Sequence, residues 1–285
     1  MKSRINFSTL FGIGAAVAVI WYGVLAGTVR KEIFWDGHAL ILVIGGTFAA
    51  ALIAFPLRQF GDLWTFFTAG ALFPTEKAHS KTIEHIMLLS NRPDLASIDP
   101  TVRVQFHPFL LEGYTLMRKQ EWSTLEYRAI LMNRNQRFKE RYGMDAKTLT
   151  ALAKFPPAFG LLGATTGMIA MMTGLGPGGK DSIGPAMAVA LVATFWGIAV
   201  ANFILLPLAD HASRLNNEDA RLRLMIATGL TLIQQQSRPT ALYEHMVGFL
   251  PVFDRMEPGL KLALQVAENT HKKQEAAARI TGAAS

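Results

Sequence analysis

The sequence predicts an all-α polytopic membrane protein with four transmembrane helices and a helical cytoplasmic domain. Three observations lead there. Residues 155–179 and 182–209 contain no Asp, Glu, Lys or Arg, and each run exceeds the about 20 apolar residues that a helix needs to cross a bilayer core. Two further uncharged apolar runs, Phe7 to Val29 and Ala39 to Leu57, precede a long polar segment. Hydrophobic residues make up 51% of the chain and charged residues only 17%, the profile of a membrane protein with soluble parts rather than of a soluble enzyme.

In chain order, the first run follows Lys2 and Arg4. Val24-Leu25-Ala26 resembles a cleavage site, but the apolar run is longer than the ~7–15 residues of a signal-peptide core, so it reads as a span. The second run carries Gly45-Gly46-Thr47 inside and Pro56 at its end. The polar segment from Arg58 to Lys154 reads as helices: Glu76 to Leu89, Thr101 to Lys119 and Ser123 to Arg141. The first is followed by a breaker, Asn91-Arg92-Pro93-Asp94. The third is strongly basic, with Arg128, Arg134, Arg137, Lys139 and Arg141, a pattern that most often marks a solvated face.

The stretch from Phe155 to Ala209 reads as a helical hairpin around a Gly- and Pro-rich turn, Gly174 to Pro185. At about 100° per residue, Gly160, Gly163, Ala164, Gly167 and Gly174 share one side of its first helix. Ala186, Ala190, Ala193, Gly197 and Ala201 do so on the second. Small stripes let membrane helices approach closely, and here they read either as packing or as a pore wall built from several copies. Beyond the hairpin, Leu222, Met225, Ile226, Leu230 and Ile233 keep a helical period until Ser237-Arg238-Pro239. A short helix from Thr240 to Leu250 follows, and residues from about Glu268 are expected to fray. The chain thus divides into a transmembrane pair over 1–57, a cytoplasmic helical domain over 58–154, a pore-side transmembrane hairpin over 155–209, and cytoplasmic C-terminal helices and tail over 210–285.

Charge sets the orientation. The net charge is +7 and the pI about 9.7, but topology explains this better than nucleic acid does. Cations gather in 58–154 and after Asp210, whereas the two outer turns hold only Arg30, Lys31 and Lys180. Positive loops stay cytoplasmic, which puts both termini and the middle segment inside.

The chemistry is bounded by absences. There is no cysteine, hence no disulfide, thiolate metal site or thiol catalysis. No metal motif, triad or phosphate loop is present, so neither an enzyme nor a bound cofactor is expected. His38, His107 and His211 read as interfacial, structural or exposed. An ion relay inside a membrane needs an ionisable group, and none of the four apolar runs contains one. If ions flow, a partner must bring the carboxylate.

PAFGLLG (157–163) followed by SIGPAMAVALVATFWG (182–197) closely resembles the MotA/PomA flagellar stator proteins of the wider MotA/TolQ/ExbB group of ion-driven motors. The GGT and FPL of the second run, FLLEG (109–113) and SRPTALYEHMVGFLPVFDR (237–255) fit the same resemblance, which covers about Phe7 to Arg255. Four spans with a cytoplasmic N-terminus favour the stator branch, because TolQ and ExbB proteins have three.

The resemblance implies a stator subunit that converts proton flow into torque. Its partner would be a MotB/PomB-like single-span protein that binds peptidoglycan and supplies an aspartate. Five copies would surround two partner copies, with the hairpins as inner ring, the first two spans outside against lipid, and cytoplasmic helices pushing the rotor switch protein. Thr194 matches a pore threonine, and its alternative role is a bond back to its own helix. Pro157 and Pro207 match two coupling prolines, with tolerated membrane prolines as the alternative. Arg92 and Asp99 are the rotor-contact candidates, although the family's Arg–Glu pair eight residues apart falls here on Asn91 and Asp99. Sodium-type stators carry a threonine where Ala164 stands. Thr165 and Thr166 flank that position off the stripe, so protons are the expected ion. The alternative is a motor of the same architecture serving a non-flagellar machine (envelope energy transfer, gliding or defence), with sodium as the alternative ion.

Overall fold

The computed structural model describes residues 7–26, 34–57, 61, 78–90, 98–119, 121–174 and 180–282. The regular elements among the described residues are all helices, with no strand among them. The chain divides into two units, one of residues 1–74 and 141–216, the other of 75–140 and 217–285.

In the first unit, α1 (Phe7–Ala26) is an apolar helix of 20 residues. Asp36 starts α2 (Gly37–Leu40) by accepting from the backbone N–H of Ala39 at 2.9 Å. A π-helical segment, Ile41–Gly45, joins α2 to α3 (Gly46–Ala54). The Thr47 hydroxyl donates to the Val43 carbonyl within this wider turn. Beyond α7 (Thr124–Leu152), the hairpin consists of α8 (Phe155–Thr173) and α9 (Lys180–Ala199). A second π-helical segment, Val200–Leu205, leads without a break into α10 (Leu206–Gln234). Pro207 has no N–H to offer the carbonyl one turn back. Just ahead of it the chain takes the wider spacing, with Leu206 N–H donating to Ala201 O.

Among the described residues, three helical stretches are long and apolar enough to cross a membrane, within Gly37–Ala54, Thr124–Thr173 and Ile183–Gln234. α2, α3 and the intervening π segment pack on the hairpin through Ala39, Val43, Val192 and Ala193. Phe159 fills the space over Gly46 and Leu42 covers Gly163. Trp196 donates from Nε1 to the Phe34 carbonyl at 2.8 Å, inside an aromatic cluster with Trp35 and Phe195. Ala51, Ala146, Leu149, Leu152, Ala209 and Ala212 form the remaining core of this unit.

The second unit holds α4 (Ala78–Ser90), the four-residue α5 (Pro100–Arg103), α6 (Pro108–Arg118), the N-terminal part of α7, the C-terminal part of α10, α11 (Pro239–Val247) and α12 (Pro258–Gly282). Ile83, Ile86, Phe109, Tyr114, Tyr127, Met225, Leu230 and Met246 lie in its single apolar core. Tyr127 is buried there with its hydroxyl donating to the Gly113 carbonyl at 2.9 Å, so the one polar atom of a large side chain is satisfied. Gly113 leaves room for Leu230, whose Cδ1 would lie 2.5 Å from an added Cβ.

Four sequence readings change. The expected helix from Thr101 to Lys119 is two helices, because His107 caps a new helix start and Pro108 takes its first position. The expected helix ending at Arg141 runs on to Leu152. Pro185, expected in the hairpin turn, stands inside α9, one turn after its start at Lys180. The tail expected to fray from Glu268 is helical to Gly282, with Leu260, Leu264 and Ala267 packed against the core.

Candidate functional site

α8 and α9 meet through the small side chains that their sequences place in register. A Cβ built on Gly160 would lie 2.9 Å from the Ala193 carbonyl oxygen, and one on Gly167 would lie 2.7 Å from Ala190 Cβ. On Gly197 it would lie 2.5 Å from the Pro156 carbonyl oxygen. Gly160, Gly163, Gly167, Ala190, Ala193 and Gly197 are all buried. In a bilayer, where no hydrophobic drive separates helix from lipid, such approach supplies the packing attraction. The stripe is therefore the seam of the hairpin within one chain.

Thr194 stands at this seam. Its hydroxyl lies 3.1 Å from the Ala190 carbonyl and 3.4 Å from the Gly160 carbonyl on the facing helix. It is half-buried. One proton shared between two carbonyls leaves the oxygen's lone pairs free to accept. Thr165 and Thr166 donate to the carbonyls three residues back, Leu162 at 2.8 Å and Gly163 at 2.9 Å. Ala164 between them and the buried Gly163 is half-buried. Thr165 also lines an open apolar hollow of about 490 Å³ with Met168, Ile169, Met172 and Thr173.

The two prolines differ. Pro157 lies in the first turn of α8, where backbone N–H groups have no helical partner, and so costs no hydrogen bond. Pro207 lies one residue inside α10 and next to the π-helical segment, with its side chain exposed. Asp99 is exposed and caps α5, accepting from the Thr101 backbone N–H at 2.8 Å and from its hydroxyl at 2.7 Å. Those hydrogen bonds hold its carboxyl below the usual value. Thr194, Thr165 and Thr166 thus lie on the hairpin and Pro207 just beyond it, while Arg92 lies outside the described residues.

One polar side chain on the hairpin escaped the sequence reading. Asn202, in the second π-helical segment, is exposed beside Ile198, Phe203 and Ile204, and its amide donates to the Ile198 carbonyl at 3.0 Å. The signal was present in the sequence: Asn202 is the only Asn in the uncharged run 182–209. A search for ionisable groups alone passes over it. Among the described residues no cluster of His, Cys, Asp or Glu is arranged to hold a metal.

The chain is similar to known proteins over nearly its whole length. Residues 103–225 match the family model described as the MotA/TolQ/ExbB proton channel family. Motility protein A of Bacillus subtilis (strain 168) is 27% identical over 278 residues, covering 95% of this chain and 99% of that one. The chemotaxis protein PomA of Vibrio alginolyticus is 25% identical over 249 residues, covering 86% and 93%. The fold matches a chain in the structure of the flagellar MotAB stator complex from Bacillus subtilis, with a TM-score of 0.75, 23% identity, and 87% and 98% of the two chains covered. The family-model match lies across the hairpin, and these relatives extend over the helices on either side of it.

Proposed function

We propose that this chain is the ion-conducting stator subunit of a bacterial flagellar motor. One observation carries the reading. The hairpin is a close-packed pair of apolar helices whose uncharged runs, 155–179 and 182–209, offer hydroxyls and an amide, at Thr194, Thr165, Thr166 and Asn202, but no group that can take up and release a proton. A proton path past such a wall needs a carboxylate from elsewhere. A MotB/PomB-like partner with one span and a peptidoglycan-binding domain brings it.

The reading has four spans, since α1 at about 1.5 Å per residue is about 30 Å long and matches a bilayer core. The distribution of Lys and Arg supports cytoplasmic termini at an inner membrane. Several copies, five by likeness to the family, form a ring around two copies of the partner. Asp99 and Arg92 are the candidate contacts to the rotor. Proton passage past the partner's aspartate then turns the ring.

Deletion of the gene should leave flagella assembled but paralysed, and plasmid-borne chain should restore swimming. Normal swimming in the deletion strain, with no duplicate stator genes present, would remove this reading.

A further inference from the structure

We propose that His107 is a pH-sensitive clasp at the corner between α5 and α6: neutral, it caps α6 and holds α10, and protonation releases the cap. The geometry fixes which nitrogen does what. Phe109 N–H donates to Nδ1 at 3.2 Å, so Nδ1 is the unprotonated nitrogen. Nε2 carries the proton and faces Asp219 Oδ1 at 3.4 Å. Asp219 accepts through its other oxygen from Arg223 Nε at 2.7 Å. The Arg223 guanidinium lies 3.5 Å over the Phe138 ring and 5.1 Å from the centre of the Phe109 ring. One imidazole thus ties the start of α6 to an ion pair on α10 that is stacked on two aromatic rings.

Helix starts are ordinarily capped by Ser, Thr, Asp or Asn, whose oxygens accept at any physiological pH. An imidazole accepts only while one nitrogen is bare. Protonation turns Nδ1 into a donor facing the Phe109 N–H, and the cap is lost. Pro108 has no N–H, so that amide is the first donor of α6. The new charge also draws the ring toward Asp219, in competition with Arg223. Both effects pull His107 off the helix end.

The surrounding charges are placed to respond. Asp219 faces the ring directly and Arg223 acts through it, both from α10. His79 of α4 shares the field of Asp219 along with Glu218, Arg221 and Asp254. Glu112 of α6 is held by Arg134 of α7, and α5 ends in Arg103. The corner that the clasp holds is short. It runs from the exposed Asp99 cap to His107, with Phe106 buried against the His85 ring at 4.5 Å. Releasing it in an acidified cytoplasm loosens the segment that carries Asp99. Only this consequence for torque rests on the stator reading; the clasp itself does not.

The test is hydrogen exchange on the full-length chain in lipid nanodiscs, with protection factors corrected for intrinsic rates, at pH values from about 8 to about 5.5, where histidines titrate. Protection of the first-turn amides Phe109 to Leu111 should fall about tenfold on acidification, the size of one ordinary cap. His107→Asn, whose amide oxygen caps without titrating, should hold it constant. Flat protection in the wild-type chain, or the same fall in His107→Asn, would overturn the clasp. Should that variant not fold, nitrogen NMR of the wild-type imidazole decides: the neutral ring must carry its proton on Nε2, and a proton on Nδ1 overturns the proposal. Motor speed at clamped internal pH is read in parallel. Speed indifferent to pH alongside a titrating cap overturns the torque consequence and leaves the clasp standing.

Discussion

Gly197 on α9 and Gly160 on α8 lie so close that a Cβ added to Gly197 would sit 3.1 Å from Gly160 Cα and 2.5 Å from the Pro156 carbonyl oxygen. Both obstructions are backbone, and neither can rotate away. Gly197→Ala should therefore force the hairpin apart and cost about 1–3 kcal/mol, as overpacking does. Gly184→Ala, with nothing within 4 Å of the added atom, serves as the control. Thermal unfolding in detergent reads both, and equal stability of the two variants would sink the seam.

Gln236 ends α10 with a positive φ of 54°, while Ser237 N–H donates back to the Leu232 carbonyl at 3.1 Å. A non-glycine residue pays about 1–2 kcal/mol for the left-handed conformation, and glycine gives back part of that through the unfolded chain. Gln236→Gly should raise stability by about 0.5–1 kcal/mol, seen as a higher melting temperature. A lower one would mean that the side chain holds the cap.

Acid should weaken the second unit through His85. Burial first, and Lys81 second, hold its imidazole below the ordinary 6.5. The folded state then binds fewer protons than the unfolded state. Its contribution is complete above 6.5 and is lost as pH falls through the folded value. His79 has the same sign, with burial the largest cause. Glu84 has the opposite one: burial, then Glu257, raise it from 4.5, so stability is present below that value and is lost as pH rises through the folded value. His85→Gln should flatten the melting temperature's dependence on pH below 6.5, and Glu84→Gln should stabilise at neutral pH. An unchanged slope in His85→Gln would clear that residue.

Asp99 combines a cap and a surface charge, and two substitutions separate them. Asp99→Asn keeps an accepting oxygen for Thr101 and removes the charge, whereas Asp99→Ala removes both and costs about 1 kcal/mol of cap. If the charge touches a rotor, swimming should drop in both variants and in Asp99→Lys, with the complex still assembled. Swimming lost only in Asp99→Ala would return Asp99 to a structural role.

The coupling ion is expected to be the proton. Thr165 and Thr166 donate their hydroxyl protons to α8's own carbonyls, and the position between them and the buried Gly163 is occupied by Ala164. Rotation should ignore sodium at fixed proton-motive force and stop with a protonophore. Thr194→Val, which removes the lone pairs and keeps the shape, should slow rotation about tenfold or more, the scale of one hydrogen bond of about 1.4 kcal/mol. Sodium-dependent rotation indifferent to the protonophore would reverse the assignment and direct attention to Thr165 and Thr166.

The sequence by itself determined the elements of this protein. Uncharged runs long enough for a bilayer located apolar helices, and small residues at helical spacing marked the faces that now form the α8–α9 seam. Both signals are local, since each depends on solvent partitioning or on one helix's own period. Only the tertiary structure decided what the marks were for. The small stripe turned inward to a neighbour in the same chain, Thr194 found a second carbonyl 34 residues away at Gly160, and Asn202 turned outward on a π-helical segment. The break at His107 and the order of the chain's tail were decided there too. The His107 imidazole caps α6 with its far nitrogen facing Asp219, itself paired with Arg223, on another helix, and α12 packs Leu260, Leu264 and Ala267 against a core. Local pattern reports what a segment would bury; where it buries it is set by close contacts between residues far apart in the chain, which no window of sequence contains.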